Sequence, residues 1–197
     1  MIPTLAQIVA ALIGAARLYR FDPAGFDRFE RTERAFWQSF FCAVLVAPLS
    51  IALTMLEFSI PPPEDVPVAP APDLLALVAV RAIAYVINWT AFPLAMAYLT
   101  RQIDRADRYF PYMVAYNWVT APQYAVTLVV AVVAEWSGLP GPLPTILDLA
   151  ALAYALAVLL FVAHHALDIG RGTAALIVAI DFLLGALIQE VARAITG

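Results

Sequence analysis

The stretch ILDLAALAYALAVLLFVAHHAL, residues 146–167, decides the fold. Asp148 is its only charged side chain before the histidine pair His164 and His165. Hydrocarbon about 30 Å thick is crossed by roughly 20 helical residues rising 1.5 Å each, and this run is long enough. Lipid offers no partner to backbone N–H and C=O groups, so a run of this kind closes its hydrogen bonds within itself as a helix. A period-two alternation is absent, which argues against a strand of an outer-membrane barrel.

Reading outward from this run, four others meet the same length requirement, at residues 35–58, 74–100, 109–134 and 173–194. Asp73, Thr145 and Thr173 stand where N-caps of the second, fourth and fifth helices are expected, each offering an acceptor to free backbone N–H groups. Composition agrees. Of 197 residues, 63% are hydrophobic and 13% charged, and the mean hydropathy is +0.85. Soluble domains average nearer half apolar and a quarter charged.

The breaks between runs carry the orientation. Arg17, Arg20, Arg28, Arg31 and Arg34 precede the first run, Arg101, Arg105 and Arg108 follow the second, and Arg171 follows the fourth. The breaks at 59–73 and 135–145 hold no basic residue but carry Glu64, Asp65, Asp73 and Glu135. Arginine on every second connection is the positive-inside pattern, which predicts a cytoplasmic N-terminus and a periplasmic C-terminus. All 11 basic residues are arginine, a bias that reads as codon composition. Acidic residues accompany every arginine cluster, so no patch suits nucleic acid. The single cysteine, Cys42, excludes a disulfide framework within the chain and is expected to face lipid or a neighbouring helix.

Residues 1–34 are read as a cytoplasmic or interfacial segment. Leu5, Ile8, Val9, Leu12, Ala16 and Tyr19 share a helical face, and the stretch is short for a span, so a helix lying on the membrane surface is expected. Its basic residues follow the apolar part, the reverse of a signal peptide. In RFDPAGFDRFERTER, residues 20–34, Phe21, Phe26 and Phe29 suggest a juxtamembrane segment entering the headgroups, with a solvated linker as the alternative. Residues 61–72, PPPEDVPVAPAP, hold six of the 15 prolines and read as an extended spacer.

The expected architecture is all-α: a polytopic membrane helix bundle of about five transmembrane helices spanning 35–197, preceded by an N-terminal interfacial amphipathic helix. Polar groups inside it are costly and tend to be paired or functional. The candidates are Arg81, with Asp148 or Glu190 as partner, and Asp181, with Asn117 at similar depth and Asn88 nearer the midplane. An aspartate there either ties helices together or supports a proton relay. His164 and His165 point about 100° apart on a helix, so local pairing is expected and a metal centre is not. Pro93, Pro111 and Pro122 are expected to interrupt the second and third helices, as kinks or as broken helices lining a site. Trp37, Tyr109, Tyr112 and Trp136 suit an interfacial aromatic belt. Ser39 is the one serine placed to meet a histidine, but no nucleophile elbow, zinc-protease motif or phosphate loop occurs.

The stretch GFDRFERTERAFWQSFFCAVLVAP, residues 25–48, in which a short charged segment leads into a first span, resembles small multi-pass inner-membrane proteins of alphaproteobacteria. Five spans after a cytoplasmic N-terminal segment are also similar in layout to Yip1-type membrane proteins. That likeness implies a role in membrane organisation or trafficking and transfers no functional residue. The expected function is a non-enzymatic scaffold or accessory subunit, without cofactor or metal. Its partners would be the bilayer and a membrane protein or second copy. The alternative is a small transporter or proton-coupled carrier using Asp181 with Asn117 and Asn88.

Overall fold

The computed structural model describes residues 2–59, 74–136 and 138–196. The proline-rich spacer with Glu64, Asp65 and the expected cap Asp73 lies outside them. Among the described residues the secondary structure is helical throughout. The chain runs through α1 (Leu5–Leu18), a 3-10 helix (Pro23–Arg28), α2 (Glu33–Ser39), α3 (Phe41–Ser59) and α4 (Leu74–Gln102). A short 3-10 turn (Ala106–Arg108) then leads to α5 (Tyr109–Trp136), α6 (Leu143–Leu167) and α7 (Arg171–Thr196). Five segments are long and apolar enough to cross a membrane: Glu33–Leu56, Leu75–Gln102, Ala106–Glu135, Leu143–Leu167 and Arg171–Ile195. The chain is a polytopic membrane helix bundle.

Several element boundaries differ from expectation. The first run is two helices, α2 and α3, broken at Phe40. Ser39 Oγ there donates to the carbonyl of Phe36 at 2.7 Å, and such side-chain back-bonding bends helices. Thr145 and Thr173 are not caps. Pro144 presets the backbone in the first turn of α6, so that helix begins earlier, after Pro142, and α7 begins at Arg171. Nor do the prolines break their helices. Pro93 lies inside continuous α4 and Pro122 inside continuous α5, while Pro111 falls in the first turn of α5, where a missing N–H costs nothing.

The core is gathered at the arginine-bearing end of the bundle. Residues 112–119 of α5 are buried nearly all round, packed against α1, α2, α3 and α6, while the outer half of α5 is only partly covered. Buried Val158, Val162, Ala163 and Leu167 of α6 and Ala174 and Ile177 of α7 belong to the same end. Tyr112 is 2% exposed in this core, so it is no part of an interfacial belt. Trp37, at 59% exposed, does suit one. Cys42 is buried against the bundle.

α1 opens with a complete capping box between Thr4 and Gln7. It packs through a face of small residues, Ala11, Gly14 and Ala15 with Leu18, and leaves Leu5, Val9 and Ile13 exposed. Of the expected apolar face, Leu5, Val9, Leu12 and Ala16 point outward, while Ile8 is half-buried against the core and Tyr19 is buried. Gly14 and Gly25 meet so closely that a Cβ on Gly25 would lie 2.6 Å from the carbonyl oxygen of Gly14. The phenylalanines after α1 fold onto the bundle, with Phe21 still 41% exposed. Phe21 meets Phe161 edge to face, Phe26 stacks on Phe161, and Phe29 is buried. Tyr154 of α6 donates its hydroxyl hydrogen to the carbonyl of Tyr19, fixing this turn to the bundle. Burial, with Tyr154 adding to it, raises the Tyr19 phenol above its ordinary value of 10.0.

Candidate functional site

The buried and half-buried positions of α7 recur as Ala174, Ile177, Val178, Asp181, Leu184, Gly185, Gln189 and Ala192, a stripe of helical period facing the bundle. Asp181, Gly185 and Gln189 lie four residues apart within it, so the polar and small members form one seam. α4, which packs along α7, carries Arg81, Asn88 and Phe92 on the matching stripe.

Three contacts define this seam. Arg81 Nη1 donates to Gln189 Oε1 at 3.4 Å. Asn88 Oδ1 stands over Gly185, 3.6 Å from where a Cβ would sit, at ordinary van der Waals distance. One turn from Gly185, Asp181 Oδ1 accepts the Tyr116 hydroxyl at 2.7 Å, and the Tyr116 ring packs on Phe92 with centroids 4.6 Å apart. By helical rise, Asp181 lies about 15 Å from Arg171, close to the middle of a 30 Å core.

Of the expected site residues, Asp181 and Asn88 therefore share a seam, and Arg81 continues it. Asn117 does not join them. It is completely buried on the other side of α5, where Nδ2 donates to Ser39 Oγ at 2.8 Å. Ser39 thus meets an asparagine and not a histidine. Glu190 faces outward and pairs with Arg193 at 3.2 Å, and Asp148 is exposed on α6.

Tyr116, Gln189 and Gly185 are the seam residues that sequence reasoning missed. The four-residue spacing of 181, 185 and 189 is the signal that could have found the last two. Tyr116 stood hidden among neighbouring aromatics.

The histidines end α6 as backbone ligands. His164 Nδ1–H donates to the carbonyl of Ile169, and His165 Nδ1–H to that of Phe161 at 2.8 Å. Asp168 closes the helix in the left-handed conformation, φ 55°. Arg105, from the turn before α5, reaches this end. Its Nε donates to Leu167 O at 3.1 Å and its Nη2 to Asp168 O at 3.2 Å, satisfying carbonyls the helix leaves open. Among the described residues no group of three or more His, Cys, Asp or Glu side chains could hold a metal. Chemically the seam can exchange hydrogen bonds, with the Tyr116 hydroxyl held on the Asp181 carboxyl.

No curated protein and no solved structure matches the chain. The family model described as the Yip1 domain matches residues 16–190, from the end of α1 to near the end of α7. The match takes in four spanning segments whole and most of the fifth, and the chain belongs to the Yip1 domain family.

Proposed function

We propose that this membrane protein is a non-enzymatic scaffold or accessory subunit in membrane organisation. It would sit in a bacterial inner membrane with its N-terminus and arginine-bearing turns in the cytoplasm. The observation that carries this reading is where the intramembrane polar groups are spent. Asp181 on Tyr116, Asn117 on Ser39 and Arg81 on Gln189 each tie one helix to another. Polar contacts of this kind hold transmembrane helices in register. Its partner would be another membrane protein or a second copy. Native membranes solubilised in mild detergent test this: the chain is expected in a complex of fixed stoichiometry, and recovery as a lone monomer at every detergent concentration sinks the reading.

One observation favours a second reading, a proton-coupled carrier: Asn88 and Asp181 stand within one turn of each other along the α4–α7 seam. Asp181→Asn separates the two. The carboxamide keeps an oxygen for Tyr116 but cannot carry a proton in its place. A scaffold variant should assemble as the wild type does, whereas a carrier variant should lose all proton-driven flux in liposomes. Wild-type liposomes that move no solute or proton under any gradient exclude the carrier.

A further inference from the structure

A second feature lies apart from the α4–α7 seam. At the arginine-bearing end, α2 and α4 leave between them a groove of about 380 Å3, open along one side. Its lining is apolar and aromatic, with Phe36 and Trp37 of α2, Leu94 of α4 and Tyr109 at the start of α5. Tyr109 donates its hydroxyl hydrogen to Pro93 O at 3.1 Å, which holds the walls together at the floor. Five residues beyond Thr90, the deepest α4 position in the lining, Tyr85 donates to Ala43 O at 2.6 Å and ties α4 to α3. Glu33 is the only charged side chain in the lining, and its Oε1 accepts the Trp37 indole N–H at 3.4 Å. Among the described residues Glu33 forms no ion pair.

We infer that this groove binds one phospholipid of the surrounding leaflet, phosphatidylethanolamine, with an acyl chain along the aromatic wall and its ammonium against Glu33. Length supports the acyl chain. The lining runs from Glu33 to Phe40, seven residues or about 10 Å by helical rise, room for the upper part of an acyl chain. Charge supports the headgroup. A carboxylate that is the lining's one charge attracts a cation, and repels a headgroup that is only anionic. Arg34, next in the chain and exposed, supplies the opposite charge for the phosphate of the same lipid. This assignment does not depend on the scaffold reading.

Full-length protein in mild detergent, given equimolar phosphatidylethanolamine and phosphatidylglycerol, tests it by native mass spectrometry. The one-lipid adduct is expected to hold phosphatidylethanolamine at least threefold over phosphatidylglycerol. In Glu33→Gln that ratio should fall to about one. Leu94 is 72% exposed, so Leu94→Trp fills the groove without entering the core and should remove the preferred adduct. Equal adducts in the wild type mean an unselective lipid shell only and overturn the assignment. So does a preference that survives Glu33→Gln with more than half its size, or Leu94→Trp unchanged.

Discussion

Asn117 is fully buried and gives one amide hydrogen to Ser39 Oγ, which in turn gives its own hydrogen to Phe36 O. Ser39→Ala deletes the middle of that chain and leaves a buried carboxamide without its acceptor, at a cost of about 1–3 kcal/mol. The purified variant should melt below the wild type in detergent, and equal melting temperatures would refute the tie. Asp181→Leu should also destabilise, by about 0.6–2 kcal/mol, the range measured for hydrogen bonds between membrane helices. Reading the sequence could single out Asp181, Asn117 and Asn88, because a polar side chain in an apolar run is conspicuous. It could not pair them. Asn117 and Tyr116 are neighbours in the chain but project about 100° apart, and only the packing of α5 decides which of the two meets α7.

Elements were legible to the extent that hydrocarbon dictates them. Five runs of sufficient length give five spanning segments, since without the alternation of a barrel strand only a helix satisfies its backbone in lipid. Their ends were less legible, because proline and side-chain bonds move them. Pro144 starts α6 before Thr145, and Ser39 divides the first span into α2 and α3. The sequence left the inward face of α1 unassigned for another reason. Small residues allow close backbone approach and so face the protein, while the large apolar ones are left for lipid. Gly25→Ala places a Cβ against the carbonyl of Gly14 and should push α1 from the 3-10 helix that follows it. Trypsin should then cut faster at Arg20 or Arg28 than in the wild type, and an unchanged rate would count against this close contact. At the other connection, Arg105→Ala uncaps α6. It removes charge-assisted hydrogen bonds to Leu167 and Asp168 in a half-exposed setting, with an expected cost of about 1–2 kcal/mol. Hydrogen exchange should quicken in the last turn of α6 and leave the centre of the helix as it was.

The whole molecule is asymmetric along its long axis. α1, α2 and the intervening 3-10 helix wrap the start of α5 and concentrate the core at the end that carries nine of the eleven arginines. At the opposite end Leu75, Val78 and Ile83 of α4 and Ile146 and Leu149 of α6 are exposed, the surface left for lipid or a neighbouring membrane protein. Membership of the Yip1 domain family fits this layout of an amphipathic lead followed by five spans. The positive-inside pattern predicts that the arginine-bearing turns stay in the cytosol. Cysteine labelling on intact cells tests this most directly, because native Cys42 is buried and contributes little background. Single cysteines at Val68, Leu139, Gln102 and Gly170 would be treated with a membrane-impermeant maleimide before and after lysis. The account predicts labelling of Val68→Cys and Leu139→Cys on intact cells, with Gln102→Cys and Gly170→Cys reacting only after lysis. Labelling of Gln102→Cys on intact cells while Val68→Cys waits for lysis would contradict it.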